Sequence, residues 1–312
     1  MIVGAICMSH SPLMDRNRAP AALEEGYNIA IKSANSFIDQ IAPDLTVIFY
    51  PDHLNGFAYR LLPPFCVGIA GTAIGDYGTA AGILDIPEDV AANCASFLLG
   101  KGVDAAVSYK LEVDHGATQP IELLSEARSL SRIIPVFVNC AAAPRPTFPR
   151  VRALGLAVGD WARARPERIL IIGSGGLSHD PPIPQLADAS PQVRTRLING
   201  PELSYAQRVA RQKLVYAESH KIIAGISESI PLNPEWDRKL LDAFCAGDLS
   251  VLDRTADEEI SKVGGCGGHE VRTWIAALAS LGPNYTADVL FYESINEWIT
   301  GMSVLTARPK GQ

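Results

Sequence analysis

The 312-residue sequence predicts an α/β fold: one central mixed, largely parallel sheet flanked by helices, in a single domain spanning residues 1–312. Short apolar runs rich in β-branched residues, such as Leu45–Tyr50, are typical of buried strands. Amphipathic stretches such as Phe148–Arg163 separate these runs and predict helices. From about residue 185 to residue 263 the pattern is helical only. We therefore expect a helical C-terminal region, placed before a final helix and strand.

The N-terminal half alternates predicted strands with predicted helices. Residues 56–85 are rich in glycine and proline and lack periodicity, so we expect a long ordered loop with room for one hairpin. Glu88 and Asp89 favour a helix start, because acidic side chains stabilise the positive end of the helix dipole. The predicted strands are Ile2–Met8, Leu45–Tyr50 and Asp104–Tyr109, and the predicted helices are Pro20–Ile41, Pro87–Leu99 and Ile121–Ser129.

The C-terminal half begins with the same alternation and then becomes helical. Two further strands, Pro135–Asn139 and Ile169–Ile172, flank the helix Phe148–Arg163. A glycine-rich stretch, GGCGG, gives a flexible lead into a helix that runs from about His269 to Leu281. The remaining predictions are helices at Pro191–Ile198, Tyr205–Ile223, Asn233–Cys245, Leu249–Ala256 and Asp257–Val263, a final strand at Val289–Tyr292, a short helix or cover over Glu293–Thr306, and a frayed tail from Ala307.

Composition and charge exclude several classes of protein. A net charge of −7 without a basic stripe makes nucleic acid an unsuitable partner. The start of the chain lacks a signal-peptide pattern, and no apolar run approaches the ~20 residues that a membrane-spanning helix needs. None of the six cysteines forms a C-x-x-C pair, which argues against a zinc–cysteine site. We expect a reduced, cytoplasmic protein without membrane partners.

Four histidines occupy related positions at the ends of predicted strands. His10 and His53 follow the first two predicted strands, and His179 follows the strand Ile169–Ile172 after the glycines of GSGG. His115 comes shortly after another predicted strand. Because the carboxyl ends of parallel strands meet at one edge of a sheet, where ligands bind in open α/β folds, we expect these histidines to share a ligand.

His10, His53 and Glu270 together have the chemistry of a two-histidine, one-carboxylate metal site. This ligand set holds non-haem Fe(II) in oxygenases and leaves coordination positions open for substrate and O2. Spacing leaves two alternatives open: His269 as the ligand in place of Glu270, and histidines that are merely hydrogen-bonded in loops. His115 and His179 then remain for acid–base work, and Asp114 adjoins His115.

Other catalytic motifs do not fit the sequence. GSGGLSH does not match the G-x-S-x-G elbow of α/β-hydrolases, and His269-Glu270 is not followed by the second histidine of H-E-x-x-H. The glycines at 173–176 are too few for a dinucleotide fingerprint or a P-loop.

Eight blocks occur along the chain: SHSP (9–12), PDHLNGF (51–57), PPFCVG (63–68), AIGDYG (73–78), VDHG (113–116), GSGGLSH (173–179), LNPEWD (232–237) and HEVRTW (269–274). In this order and spacing they resemble the class III extradiol catechol dioxygenases, the superfamily of protocatechuate 4,5-dioxygenase. The resemblance covers the chain from His10 to about Trp298. It implies that Fe(II) is held by His10, His53 and Glu270, that His115 is the proton donor and that His179 is the proton acceptor. It also implies a homo-oligomer that acts on a catechol and O2.

Within this resemblance we predict extradiol cleavage of a catechol that carries a propionate side chain. The side-chain carboxylate needs a cation or several donors, and Arg60, Lys110 and Arg272 are candidates because they lie near the motifs. The alternatives are another substituted catechol, a zinc hydrolase that uses the same ligands, and a non-enzymatic binding protein on the same fold.

Overall fold

The structure, a computed structural model, describes residues 1–126, 128–187, 189–200 and 205–310. Its strands are β1 (Ile2–Met8), β2 (Leu45–Tyr50), β3 (Phe65–Gly68), β4 (Gly71–Ile74), β5 (Ala81–Ile83), β6 (Ala106–Ser108), β7 (Leu111–Val113), β8 (Ile133–Val138), β9 (Ile169–Ser174), β10 (Tyr285–Ile295) and β11 (Thr300–Pro309). Its helices are α1 (Ala21–Ile41), α2 (Glu88–Gly100), α3 (His115–Leu123), α4 (Phe148–Arg163), α5 (Pro191–Asn199), α6 (Tyr205–Ile223), α7 (Pro234–Ala246), α8 (Asp257–Gly264) and α9 (Val271–Ser280).

Within the described residues, eight strands form the central sheet in the order β10-β11-β1-β9-β2-β8-β3-β6, and β5-β4-β7 form a small second sheet. The middle of the large sheet is parallel, through the pairs β1–β9, β9–β2 and β2–β8. Antiparallel pairing begins where β11 joins β1 and where β3 joins β8. The predicted mixed, largely parallel α/β sheet is therefore confirmed.

Helices cover both faces of this sheet, as the unbroken apolar runs of the central strands require. One apolar core lies between the sheet and a layer that includes α2, α4 and α9, and a second core lies on the face covered by α1. The predicted helical region is present as α5 to α8, although 249–256 forms only a short 3-10 turn, Leu249–Leu252, and residues 188 and 201–204 lie outside the described residues. None of the described helices has both the length and the apolar character that crossing a bilayer demands.

Helix α9 is buried along its whole length, between α4 and the strands β1, β9 and β2. Gly155 and Gly159 of α4 make this close packing possible. A Cβ atom at either position would lie 2.2 Å from a carbonyl oxygen of α9, that of Ala276 or Ser280. Two glycines one turn apart thus fix the position of α9, and with it the residue just before its first turn, Glu270.

Two predictions for the N-terminal half were wrong. The expected loop over 56–85 does contain the hairpin β4–β5, but it also contains β3, which joins the central sheet. The third helix starts at His115 and not at Ile121, because the Asp114 carboxylate caps it by accepting the N–H of Gly116. Ala127, inside the predicted helix, lies outside the described residues.

The prediction for the C-terminus was also wrong. Residues 293–306, expected as a short helix or cover, belong mainly to the antiparallel pair β10–β11. Strand β11 pairs with both β10 and β1, its residues 300–307 are buried, and it continues to Pro309 where fraying from Ala307 was expected. The end of that predicted tail, residues 311–312, lies outside the described residues.

Candidate active site

Three of the four strand-end histidines come from neighbouring parallel strands. Strand β9 lies between β1 and β2, and their ends are level, since Met8 pairs with Ser174 and Phe49 with Gly173. His10, His179 and His53, which follow these three strands, therefore lie at the same edge of the sheet. The rings of His10 and His53 meet edge to face with their centroids 5.5 Å apart.

His115 reaches the same place from the first turn of α3. Its ring stacks on that of His53 at a centroid distance of 4.3 Å, and it lies 5.5 Å from the ring of His10. Ring nitrogens of His10, His53 and His115 lie within 4.8 Å of one another. All four predicted histidines are thus brought together.

Glu270 completes the cluster from a 3-10 turn, Gly268–Glu270, that leads into α9. Its Oε1 lies 3.2 Å from His53 Nε2 and 3.3 Å from His179 Nε2, and its Oε2 lies 4.0 Å from His10 Nε2. Oε2 also accepts the backbone N–H of Gly176 at 2.8 Å. We call His10, His53, His115, His179 and Glu270 the histidine end of the site.

His269, the alternative ligand, does not face this cluster. Its Nδ1 accepts a hydrogen bond from Arg272 at 2.8 Å, and its Nε2 pairs with Ser261 Oγ at 2.8 Å. Burial and the neighbouring Arg145 and Arg272 lower the pKa of His269 to about 2, so the ring is neutral and structural.

A proline in α3 determines how His10 presents its ring. Pro120 has no N–H, so the Gly116 carbonyl one turn earlier has no helical donor and instead accepts the Ser174 hydroxyl. Because the Ser174 hydroxyl hydrogen is used in that bond, Ser174 Oγ accepts the hydrogen bond from His10 Nδ1–H, at 3.0 Å. His10 Nε2 therefore carries the lone pair that faces Glu270.

The other three histidines are held in the same way, each by its Nδ1. This leaves the Nε2 atoms for the site, and such outer partners are typical of metal-binding and catalytic histidines. The partners of Nδ1 are Asp114 Oδ2 for His53 at 3.0 Å, Asp76 Oδ2 for His115 at 2.6 Å and the Leu177 carbonyl for His179 at 2.9 Å.

The electrostatics of the histidine end favour a cation. Burial lowers the pKa of His10 to about 3, so this ring is neutral. Burial opposes ionisation of Glu270, yet His179 and His53 hold its pKa well below the usual range. Burial would lower the pKa of His53 and His179, but Asp114 and Glu270 raise that of His53, and Glu270 raises that of His179. A buried carboxylate among imidazoles suits a divalent metal ion in place of those protons.

The stretch GGCGG before Glu270 is ordered against His179 rather than a flexible lead. The Gly267 N–H donates to the His179 carbonyl at 2.9 Å, and the His179 N–H donates to the Gly264 carbonyl at 2.8 Å. A Cβ atom on Gly267 would lie 2.1 Å from His179 Nε2. Glycine is required here because the backbone itself forms the wall behind the imidazole.

A cavity of about 420 Å³ opens above the histidines. Its far side comes from the helical region, where Arg196 of α5 and Arg208 and Arg211 of α6 line it. We call these three residues the arginine wall. Between the two ends the lining is largely apolar and includes Pro12, Ile183, Val193, Val215 and Ile299.

None of the three candidates for binding the substrate carboxylate lines the cavity. Arg272 is 1% exposed and is bound to the Pro146 carbonyl and Asp257, away from the cavity. Arg60 and Lys110 are exposed and do not line it. Sequence reasoning missed the arginine wall and Asp76, although Asp76 lies within the AIGDYG block and Arg208 and Arg211 share one helical face.

Comparisons with known proteins match nearly the whole chain. Residues 4–303 match the family described as the catalytic LigB subunit of aromatic ring-opening dioxygenase. A Mycobacterium ulcerans protein named 2,3-dihydroxyphenylpropionate/2,3-dihydroxicinnamic acid 1,2-dioxygenase is 46% identical over 98% of both chains. A Rhodococcus protein of the same name is 45% identical over 98% of both chains. The crystal structure of the uncharacterised Escherichia coli K12 protein JW3007 covers 97% of this chain and 99% of its own, at a TM-score of 0.51 and 10% identity, which is a likeness of fold alone.

Proposed function

This chain belongs to the family of catalytic LigB subunits of aromatic ring-opening dioxygenases, and from that premise we propose that it cleaves 3-(2,3-dihydroxyphenyl)propionate. The proposed reaction is extradiol: both atoms of O2 enter the ring-opened product, 2-hydroxy-6-oxonona-2,4-dienedioate. The 2,3-dihydroxycinnamate analogue would give the corresponding trienedioate. The names of relatives at 46% and 45% identity support this choice of substrate. The observation that carries the proposal is the histidine end facing a single cavity.

The metal ion that we propose for this site is Fe(II), which His10, His53 and Glu270 would hold. Two imidazoles and a carboxylate are the donor set that non-haem Fe(II) oxygenases use, and His53 Nε2 and His10 Nε2 lie 3.2 and 4.0 Å from the Glu270 oxygens. When bound, the iron would supply the Lewis acidity and redox chemistry that ring cleavage by O2 requires.

His179 accepts a phenolic proton from the catechol. Its Nδ1 donates to the Leu177 carbonyl, so its Nε2 is the nitrogen that receives the proton. The Glu270 carboxylate raises the pKa of His179, because it stabilises the imidazolium that forms.

His115 donates a proton while the ring opens. Asp76 accepts from its Nδ1 and from its backbone N–H, at 2.6 and 2.8 Å, which fixes the ring with Nε2 as the nitrogen left for the substrate. Its ring stacks on that of His53, a proposed metal ligand, at a centroid distance of 4.3 Å.

Family membership favours oxygenase chemistry over a zinc hydrolase or a binding protein.

We further propose that the enzyme acts in the cytoplasm and assembles as a homo-oligomer. The free cysteines of the described chain, four of them buried, support a reducing compartment. Light scattering on the purified protein tests the assembly, and a monomer at assay concentration contradicts it.

The experiment that tests the function is O2 uptake measured together with visible absorbance. Protein loaded anaerobically with Fe(II) receives 3-(2,3-dihydroxyphenyl)propionate and then air. We expect one O2 consumed per substrate and a yellow ring-opened product. Uptake only with another catechol overturns the side-chain assignment. No uptake with any catechol, despite bound iron, overturns the dioxygenase proposal.

A further inference from the structure

One face of α6 borders the cavity opposite the histidines. Arg208, Arg211, Gln212 and Val215 line the cavity, and their spacing of three, four and seven residues places them on a single stripe of the helix. Arg208 and Arg211 are partly buried, whereas Lys213 of the same helix is exposed and outside the lining. The helix therefore presents two guanidinium groups to any molecule that fills the cavity.

In the part of the chain that the structure describes, these arginines form no ion pairs, although Asp52 and Asp114 attract the charge of Arg211 from beyond ion-pair distance. Across the described residues, no carboxylate lies within ion-pair distance of Arg196, Arg208 or Arg211. The acid in the described lining is Asp76, which is already bound to His115. A cluster of cations in a chain of net charge −7 indicates a local site for an anion.

The two helix α6 arginines differ in what they already hold. Arg211 donates to the His53 carbonyl at 3.2 Å and to Asn55 Oδ1 at 3.5 Å, both of which are neutral acceptors. It thus connects α6 to the loop that carries a metal ligand and keeps its charge unpaired. Arg208, one turn earlier, lines the same cavity and has no hydrogen-bonded or ion-paired acceptor among the described residues.

We propose that Arg208, assisted by Arg211, binds the side-chain carboxylate of the substrate and makes the enzyme select acidic over neutral 3-alkylcatechols. A guanidinium fork matches a carboxylate in geometry and charge, and partial burial strengthens the pair. The apolar side chains of Ile183, Val193 and Val215 contact the methylene groups between ring and carboxylate. This inference rests on the proposed ring cleavage and adds to it the residues that read the side chain.

The test compares kcat/KM for 3-(2,3-dihydroxyphenyl)propionate with kcat/KM for 3-propylcatechol, which lacks the carboxylate. In Arg208→Met we expect the ratio of the two to fall on the order of 10- to 100-fold, chiefly through a higher KM for the acid. Arg208→Lys keeps the charge and loses the fork, so its ratio lies between those of the wild type and Arg208→Met. Lys213→Met removes a positive charge from the solvent side of the same helix and keeps the wild-type ratio.

The inference is overturned when Arg208→Met keeps the wild-type ratio, whether its two kcat/KM values are unchanged or have fallen by the same factor. Calorimetric binding of 3-phenylpropionate and 3-phenylpropanol to the metal-free protein separates this inference from the proposed function. Tighter binding of the acid that depends on Arg208 supports the carboxylate site even when no catechol is cleaved. Ring cleavage with equal kcat/KM for both catechols leaves the proposed function intact and overturns the carboxylate site.

Discussion

The histidine end and the arginine wall face each other across one cavity, yet they are built in opposite ways. Three histidines of the histidine end follow level ends of neighbouring strands, and the Nδ1 atom of each of its four imidazoles is bound to a fixed partner. The arginine wall lies on α5 and α6, where side chains are exposed or partly buried and their acceptors are neutral or absent among the described residues. Cleavage of any catechol requires the fixed geometry of the histidine end, whereas the choice among catechols can change through substitutions in the arginine wall.

The largest effect should follow from removing the carboxylate of the histidine end. In Glu270→Gln we expect loss of bound iron and of activity, by more than the ~10- to 100-fold that changes to outer partners of a metal site cost. Metal analysis after desalting measures it. Glu235→Gln, at an exposed position paired with Lys239, is the matched control. Full iron content in Glu270→Gln would remove Glu270 from the ligand set.

A second experiment should distinguish the proposed acid–base residues, His115 and His179, from the proposed metal ligands. We expect His115→Gln and His179→Gln to keep their iron and to lose ~10²- to 10⁴-fold in kcat, the usual contribution of a positioned acid or base. Exposed His220→Gln is the control. Iron loss in His115→Gln would instead assign His115 to the ligands, alongside His10 and His53, whose ring nitrogens lie within 4.8 Å of it.

A single methyl group should test how rigid the histidine end is. In Gly267→Ala the added Cβ would meet His179 Nε2 at 2.1 Å, so the imidazole or the loop must move. We expect kcat to fall about 10²-fold, as for an ångström-scale displacement of a reacting group. Gly100→Ala has open space around its Cβ and should be silent. Wild-type kcat in Gly267→Ala would show that the loop yields, and the contrast with the arginine wall would weaken.

Removal of the Ser174 hydroxyl, which is hydrogen-bonded to His10, should have a smaller effect and should change only the affinity for the metal. Ser174→Ala removes the acceptor of His10 Nδ1–H, and we expect the dissociation constant for iron to rise about 10- to 100-fold, with activity recovered at saturating iron. Ser280→Ala deletes another buried hydroxyl that binds a carbonyl and serves as the control. Unchanged iron affinity in Ser174→Ala would mean that packing alone orients His10.

The sequence predicted the histidines of the histidine end and did not predict the arginine wall. The fully buried strands β1 and β2 were predicted with their observed bounds, because both of their faces are covered and the apolar run is unbroken. The strand-end histidines followed from that pattern. Strand β3 was missed since four residues give too short a signal, and Pro120 concealed the start of α3 because the capping by Asp114 depends on side-chain geometry.

The partners across the site could not be predicted from local pattern. Asp76 lies 39 residues before the His115 that it binds, and Arg211 lies 158 residues after the His53 carbonyl that it contacts. Such pairs depend on how α3 and α6 pack against the rest of the chain. The motif neighbours Arg60, Lys110 and Arg272 were therefore poor guides, because nearness in sequence to a catalytic residue does not place a side chain in the cavity.

The smallest effect should come from the rim of the arginine wall, and it is the sharpest test of the contrast. Arg196 is exposed, so solvent screens its attraction for the substrate carboxylate. We expect Arg196→Met to raise KM for the acid about two- to threefold at low salt and to match the wild type near 0.5 M salt, where the Debye length is roughly 4 Å. Arg194→Met, on the same helix but outside the cavity lining, is the control. A salt-independent loss as large as that of Arg208→Met would mean that Arg196 closes onto the bound substrate, and the wall would then be as ordered in the complex as the histidine end is.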